Sequence, residues 1–210
     1  MRALLCFHGL LSTKADFNTI LPKLNTLYDT IACYDLPGHG YNTLKFNTLN
    51  IKKFVLEAYD TLSHTHDEID VMGYSMGGVI AAYLQSVRRV RRLVLLAPSY
   101  RYLNLKNYHF AKERSAQPNI SSVLPKKNYF HIFRFAKIIS DLSDDFHIIY
   151  PETLIIWGRD DYLVKEESGH LLYQMIKNKN RRLIMLERHN HFNILKSPIV
   201  YEYVSSFLGY

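Results

Sequence analysis

The motif Gly73-Tyr74-Ser75-Met76-Gly77 places a serine between two glycines. It follows the apolar run Ile69–Gly73 and opens the segment Met76–Val87, which has the composition of a helix. A strand, a tight turn and a helix in this order are the context that the G-x-S-x-G motif requires. The turn holds the hydroxyl clear of the strand, and the N–H groups that begin the helix face developing negative charge. The motif therefore predicts that Ser75 is a nucleophile rather than part of a glycine-rich structural turn.

A serine hydroxyl needs a neighbouring base before it can attack a carbonyl carbon, and the base needs a group that orients it. The residues that could fill these roles lie in two loops that follow later apolar runs. His189 and His191 follow the last such run, and Asp160 and Asp161 follow the one before it. Both loops have to approach Ser75 for these residues to act with it.

The elements that must position these residues form a regular pattern. Short apolar runs alternate with longer amphipathic ones, which is typical of βαβ units around a parallel sheet. The apolar runs lack clean alternation, as strands buried on both faces do. The strand candidates are Ala3–His8, Thr30–Asp35, Ile69–Gly73, Leu93–Ala97, Thr153–Trp157 and Arg181–Leu186. The helix candidates are Asp16–Leu27, Ile51–Ser63, Met76–Val87, Lys165–Lys177 and Pro198–Phe207. We therefore predict an α/β fold with a mostly parallel sheet of about six strands flanked by helices.

Five motifs, in this order, resemble those of the α/β-hydrolase superfamily over nearly the whole chain. The first is similar to the HG loop after that family's third strand, and the second to its D-x-P-G-x-G turn. The others are similar to its nucleophile elbow, its acid loop and its terminal histidine. They are Phe7-His8-Gly9-Leu10-Leu11, Asp35-Leu36-Pro37-Gly38-His39-Gly40, Gly73–Gly77, Trp157-Gly158-Arg159-Asp160-Asp161 and His191. Because the chain begins at what would be the third strand, the resemblance implies a sheet without the family's first two strands.

The resemblance implies that His191 is the base. The segment from His191 to Pro198 resembles the family's terminal GH-x(6)-P segment, with Asn190 in place of the glycine. His189 lies two residues earlier and is the alternative base. Its other interpretation is a partly exposed loop histidine.

The resemblance also implies that Asp161 orients His191. In the family the acid commonly stands three residues after the glycine of its loop, with an aliphatic residue three positions further on. Asp161 has this spacing from Gly158 and to Val164. Asp160 is the alternative, with a role as a loop acid that caps a backbone N–H as its simpler interpretation.

The resemblance also implies that the backbone N–H groups of Leu10 and Met76 form the oxyanion hole. Their side chains matter little, so the sequence indicates them only through position. We interpret His8, His39 and Asp35 as structural residues that hydrogen-bond within their loops.

Residues 99–150 interrupt the alternation and are too many for a simple connection in a compact domain. The resemblance implies a lid inserted between two parts of a hydrolase core, residues 1–98 and 151–210. Either the lid covers an apolar acyl group and attracts an anionic substrate, or its aromatic residues pack it onto the sheet while its cations face water. No nucleic-acid-binding motif accompanies the charge, so we expect no nucleic-acid partner. Within this lid, residues 99–137 contain eight cations and eight aromatics. The cations are Arg101, Lys106, Lys112, Arg114, Lys126, Lys127, Arg134 and Lys137, and the aromatics are Tyr100, Tyr102, Tyr108, Phe110, Tyr129, Phe130, Phe133 and Phe135.

The composition limits the class of protein. At 48% hydrophobic and 21% charged residues, it is that of a soluble globular domain. No apolar run reaches the ~18 residues of a membrane span, and the apolar start is too short for a signal peptide, so we expect a cytoplasmic protein. Cys6 and Cys33 lack a CxxC spacing and are expected to be reduced thiols. The chain contains no nucleotide, flavin or metal signature, so we expect no cofactor.

Together these features predict hydrolysis of a carboxylic ester through an acyl-enzyme, with a small molecule as the substrate. The same groups could cleave a thioester on an anionic acyl carrier, or a carbon–carbon bond as a hydrolase or lyase, and the fold cannot decide among these. A catalytically silent binding protein is the alternative outside enzymes. The complete serine, aspartate and histidine set argues against it, because a binding protein need not keep all three.

Overall fold

A six-stranded sheet forms the centre of the protein, whose computed structural model describes residues 1–101, 104 and 129–209. The strands are β1 (Arg2–Phe7), β2 (Thr30–Cys33), β3 (Glu68–Tyr74), β4 (Arg92–Leu96), β5 (Glu152–Gly158) and β6 (Arg181–Leu186). All neighbouring strands are parallel, in the order β2-β1-β3-β4-β5-β6. The predicted α/β fold with a parallel sheet is therefore confirmed.

The central strands are apolar at nearly every position because both faces of the sheet are covered. In β4, Leu93 and Leu95 lie in one core, and Val94 and Leu96 lie in the other. Successive side chains of a strand point to opposite faces, so burial of both faces removes the polar–apolar alternation. The six predicted strands are all found, and their ends differ from the prediction by at most two residues.

Helices cover the two faces unequally. The described helices are α1 (Thr48–Ser63), α2 (Met76–Val87), α3 (Tyr129–Ser143), α4 (Glu167–Met175) and α5 (Pro198–Gly209). The first four contribute to one core, and α5 contributes to the other. Both α2 and α5 lie where the sequence predicts helices.

The predicted helix Asp16–Leu27 is wrong. This segment forms two short 3-10 helices, Lys14–Phe17 and Leu21–Lys23. Pro22 has no N–H to donate and its ring crowds the preceding turn, so it cannot lie inside a continuous α-helix and instead lies in the first turn of the second short helix. Phe17, Ile20 and Leu24 are nevertheless buried, so the apolar spacing identified the buried face and not the type of helix.

The predicted insertion, 99–150, is described only at its two ends. Residues 102–103 and 105–128 lie outside the described residues. At the second end, Phe135, Ile139 and Leu142 of α3 are buried in the core that α2 shares. This helix packs on the body of the protein, and its apolar spacing lies in a stretch in which the sequence predicted no helix.

The amino-terminal ends of the strands carry a network around Asp70 of β3. Its buried carboxylate accepts hydrogen bonds from the side chain of Arg91, the backbone N–H of Arg92 and the hydroxyl of Tyr28. A buried charge is tolerated when it is paired and hydrogen-bonded in this way. The network therefore stabilises the end of the sheet that lies away from Ser75.

Candidate active site

Ser75 forms the turn between β3 and α2. It has a φ of +54° and a ψ of −118°, a strained conformation for a residue other than glycine. Its N–H donates to the carbonyl of Leu96 at 2.9 Å, and its carbonyl accepts from the N–H groups of Gly78 and Ser99, both at 3.0 Å. These three backbone hydrogen bonds hold the strained turn.

The two glycines of the motif are required by close backbone contacts. A Cβ atom on Gly73 would lie 2.1 Å from the carbonyl oxygen of Gly77. One on Gly77 would lie 1.9 Å from the carbonyl oxygen of Phe7 in β1. No side chain fits at either distance, so the glycine spacing reflects how closely α2 packs on β1 and β3.

His191 brings Ser75 and Asp161 into one chain of contacts. Its Nε2 lies 2.8 Å from the Ser75 Oγ, and its Nδ1 lies 2.6 Å from the Asp161 Oδ2. The side chains of all three residues are buried. Along the chain, His191 is 116 positions from Ser75 and 30 positions from Asp161. The sheet places the three residues together at the carboxyl ends of its strands.

The carboxylate of Asp161 is oriented by its own loop. Its Oδ1 accepts hydrogen bonds from the N–H groups of Leu163 and Val164, both at 2.9 Å. The Oδ2 is thereby directed at His191. Asp160, the alternative acid, is exposed, and the contact with the imidazole is made by Asp161.

His189, the alternative base, is turned to other partners. Its Nε2 lies 2.8 Å from the hydroxyl of Ser197, and its Nδ1 lies 2.7 Å from the carbonyl of Glu187. These contacts belong to the loop that carries His191. The contact with Ser75 is made by His191.

Two further residues that touch this site were missed in the sequence. The Oγ of Ser99 lies 2.9 Å from the Ser75 Oγ, and the hydroxyl of Tyr74 donates to the backbone carbonyl of His191 at 2.8 Å. Ser99 follows the end of β4, the strand beside β3. Because parallel strands end at one edge, a polar residue just after the neighbouring strand was the available signal.

The loop after β1 lies directly against Ser75. A Cβ atom on Gly9 would lie 3.3 Å from the Ser75 Cβ and 3.1 Å from the ring of Tyr74. Among the described residues, the N–H groups of Leu10 and Met76 donate to no protein acceptor. Met76 directly follows Ser75 in the chain, and Leu10 directly follows Gly9.

His8 fixes this loop in position. Its Nε2 accepts from the N–H of Leu36 at 2.9 Å, so its Nδ1 carries the proton and donates to the carbonyl of Gly9 at 2.8 Å. Burial and the neighbouring His39 lower the pKa of His8 to about 3, which keeps the ring neutral. The structural role predicted for His8 agrees with these contacts.

The turn after β2 is closed by Asp35 and His39. Asp35 accepts from the N–H groups of Lys14 and Tyr41 at 2.9 and 3.1 Å, and His39 contacts the carbonyl of Pro37 at 3.0 Å. Burial lowers the pKa of His39. Both residues therefore make the backbone contacts predicted for them.

The two cysteines are partners in register on β1 and β2, and both are free thiols. Burial raises the pKa of Cys6 well above its ordinary value and that of Cys33 to about 12.

Among the described residues, no group of three or more His, Cys, Asp or Glu side chains could hold a metal ion. In the same part of the chain, no helix is long and apolar enough to cross a membrane.

The chain belongs to the family of the alpha/beta hydrolase fold, whose model matches residues 2–137. This confirms the resemblance found in the sequence. Its curated relatives include a carboxylesterase of Bacillus subtilis (strain 168), which is 21% identical over 99% of this chain and 92% of the relative. The uncharacterized hydrolase YugF of the same organism is 24% identical over 84% of this chain and 79% of the relative. The protein is thus an enzyme of the α/β-hydrolase class.

Solved structures share the fold over almost the whole chain. A structure reported with the metagenome-derived lipolytic enzymes LipS and LipT has a TM-score of 0.80 at 19% identity, covering 99% of this chain and 93% of that one. A monoacylglycerol lipase of Paleococcus ferrophilus has a TM-score of 0.75 at 12% identity over 99% and 93%. A meta-cleavage product hydrolase of Pseudomonas fluorescens has a TM-score of 0.67 at 19% identity over 99% and 90%. At these identities the likeness concerns the fold.

Proposed function

We propose that this α/β-hydrolase cleaves a carboxylic ester through an acyl-enzyme, with Ser75 as the nucleophile. His191 is the general base and then the general acid, and Asp161 orients it. The observation that carries the proposal is the buried series of contacts from Asp161 through His191 to Ser75, at 2.6 and 2.8 Å. A nucleophile and base within hydrogen-bonding distance, with the base held by a third group, is the arrangement that activates a serine.

Acylation begins when the Ser75 Oγ attacks the carbonyl carbon of the ester and His191 Nε2 takes the hydroxyl proton. The tetrahedral intermediate then collapses, the bond to the alcohol oxygen breaks, and His191 returns the proton to the departing alcohol. Asp161 stabilises the positive imidazolium that exists between these events. The acyl group is left as an ester on Ser75.

Deacylation repeats the sequence with water. His191 takes a proton from a water molecule as its oxygen attacks the acyl carbon, and the second intermediate collapses to release the acid. The proton on His191 passes to the Ser75 Oγ as the bond to it breaks. The enzyme returns to its starting state.

The N–H groups of Leu10 and Met76 are proposed to bind the oxyanion of both intermediates. The absence of protein acceptors for these two groups among the described residues supports this role. Met76 also begins α2, where the helix directs partial positive charge toward an anion. A missing donor of this kind costs on the order of 10²–10³ in rate.

Residues 99–150 are proposed as a lid between the two core parts, 1–98 and 151–210. The eight aromatics of residues 99–137 fit a cover over an apolar acyl group, and the eight cations of that stretch favour an anionic substrate. That excess of positive charge makes a thioester on an anionic carrier the second candidate. A carbon–carbon hydrolase is the third, since the P. fluorescens neighbour is named for that chemistry.

A fluorophosphonate probe tests the nucleophile. The native protein should be labelled at Ser75, and Ser75→Ala should not be labelled. Ser86→Ala is the matched control, because Ser86 is an exposed serine on the same helix, α2. A native protein that stays unlabelled and behaves as Ser75→Ala does would indicate a binding protein without catalysis.

A substrate panel then distinguishes the three reactions. p-Nitrophenyl esters of increasing acyl length should be hydrolysed faster than acyl-CoA thioesters if the ester proposal holds. Preference for the thioesters would favour the second candidate. A protein that is labelled but inert to both series would favour carbon–carbon cleavage.

A further inference from the structure

We propose that Ser99 is a positioning residue that donates a hydrogen bond to the Oγ of Ser75 and so orients and activates this oxygen for attack. The proposal rests on the proposed function. The two hydroxyl oxygens lie 2.9 Å apart, and Ser99 is fully buried. Oxygen–oxygen distance alone does not say which hydroxyl donates. The partners of Ser75 and His191 do.

The direction of each proton follows from Asp161. Its carboxylate only accepts hydrogen bonds, so the Nδ1 of His191, 2.6 Å from it, must carry a proton. In the neutral imidazole the Nε2 is then a bare acceptor. The Ser75 hydroxyl, 2.8 Å away, has to be the donor to that nitrogen.

Ser75 has only one hydroxyl proton, which it donates to the Nε2 of His191. The contact between Ser75 and Ser99 therefore requires that Ser99 donates. One lone pair of the Ser75 Oγ receives this hydrogen bond, and the other is left to attack the substrate. Ser99 fixes which lone pair faces the carbonyl carbon.

The backbone holds Ser99 in this position from both sides. Its own N–H donates to the carbonyl of Ser75 at 3.0 Å, so the two residues are joined through backbone as well as side chain. Two positions later, the N–H of Arg101 donates to the buried hydroxyl of Ser168 at 2.9 Å. The donor is therefore preorganised, which is the condition for a catalytic electrostatic contribution.

The hydrogen bond from Ser99 strengthens whenever the Ser75 Oγ becomes negative. This occurs as His191 removes its proton in acylation and again as Oγ leaves the acyl carbon in deacylation. Ser99 keeps its own proton throughout, so the balance of the reaction is unchanged. A hydrogen bond to a charged group contributes more than one to a neutral group, on the order of a 10–100-fold change in rate.

Ser99→Ala tests the contribution of the hydroxyl. We expect kcat and the rate of labelling by a fluorophosphonate to fall about 10–100-fold, with KM changed less than about threefold. Ser99→Thr and Ser99→Val form a matched pair, since both add bulk at a buried site and only threonine keeps the hydroxyl. The threonine variant should be faster than the valine variant by about tenfold, at similar thermal stability.

Each outcome has a separate meaning. Full activity in Ser99→Ala, or equal rates for Ser99→Thr and Ser99→Val, would overturn the role of Ser99 while labelling of the native protein still supports Ser75 as the nucleophile. If the native protein itself is not labelled, the proposed function fails first. A loss that follows only the melting temperature of the variants would assign Ser99 to folding.

Discussion

The hydroxyl of Tyr74 donates a hydrogen bond of 2.8 Å to the backbone carbonyl of His191, and the centroids of the two rings lie 5.3 Å apart. Tyr74 directly precedes Ser75 in the chain. The strand that carries the nucleophile therefore also holds the loop that carries the proposed base. This hydrogen bond helps to hold the Ser75 hydroxyl and the His191 imidazole close together, and no substrate is needed for it.

Tyr74→Phe should disturb this link. It leaves the buried carbonyl of His191 without the tyrosine donor, which should cost about 1–3 kcal/mol of unfolding free energy and lower kcat by about 3–10-fold. Tyr28→Phe is the control, since it removes the hydrogen bond to Asp70 at the other end of the sheet. It should lower stability and leave kcat unchanged. Equal kcat in the two variants would contradict the positioning role of Tyr74.

The two adjacent aspartates give a matched test of the acid. Asp161→Asn should reduce kcat/KM by about 10²-fold or more, because the amide cannot stabilise the imidazolium. Asp160→Asn changes an exposed side chain and should alter the rate less than about twofold. Ser75→Ala and His191→Ala should each lose about 10³-fold or more. A worse result for Asp160→Asn would mean that the acid is assigned wrongly.

Gly77→Ala should abolish activity and destabilise the fold. Its new Cβ would lie 1.9 Å from the carbonyl oxygen of Phe7, which is backbone and cannot move aside cheaply. Gly209→Ala is the comparison, because its Cβ would meet the nearest atom, in Leu27, at 3.6 Å. Thermal unfolding should show a large fall in the free energy of unfolding for Gly77→Ala and a change within about 0.5 kcal/mol for Gly209→Ala. A stable, active Gly77→Ala would refute the close packing of α2 on β1.

Asp16 should make stability depend on pH. Burial raises the pKa of its carboxyl to about 6, although Ser12, the Gly9 backbone, His191 and Lys196 act in the opposite direction. Between about pH 4 and pH 6 the unfolded chain releases a proton that the folded chain keeps, so the unfolding free energy falls as pH rises. The Oδ2 is buried without a hydrogen-bond partner among the described residues, which agrees with a poorly compensated charge.

Asp16→Asn should therefore raise the unfolding free energy by about 1–3 kcal/mol at pH 7, and the gain should vanish near pH 4. Denaturant unfolding at the two pH values measures this. Asp144→Asn, at an exposed position, is the control and should show no such dependence. A gain of equal size at both pH values would exclude titration of Asp16 as the cause.

The sheet and the turn at Ser75 were predictable from the sequence because local chemistry determines them. Burial on both faces demands continuous apolar runs, and the close contact of Gly77 with β1 allows only glycine. The choice of Asp161 over Asp160 depended on a family spacing, since neighbouring acids are equivalent by composition. The structure separates them by the contact with His191.

The partner of Tyr74 is set by topology and could not be assigned in advance, whereas Ser99 could have been found only from the order of the strands. The carbonyl that Tyr74 binds is 117 residues away, and Ser99 reaches Ser75 only because β4 lies beside β3. The prediction of a helix from Asp16 to Leu27 was wrong for a different reason. The apolar spacing of this segment is the same for an α-helix and for two short 3-10 helices, and the residue that distinguishes them is Pro22, which the helix prediction did not take into account.

The three residues of the proposed site appear along the chain in the order Ser75, Asp161, His191, and the last lies in the loop after β6. During synthesis Ser75 is thus made before Asp161, and Asp161 before His191. A nascent chain that has folded its first four strands has Ser75 without the imidazole of His191. Under the proposed mechanism, a growing chain gains its base only after β6 has joined the edge of the sheet, so catalytic competence would report that the six described strands are assembled.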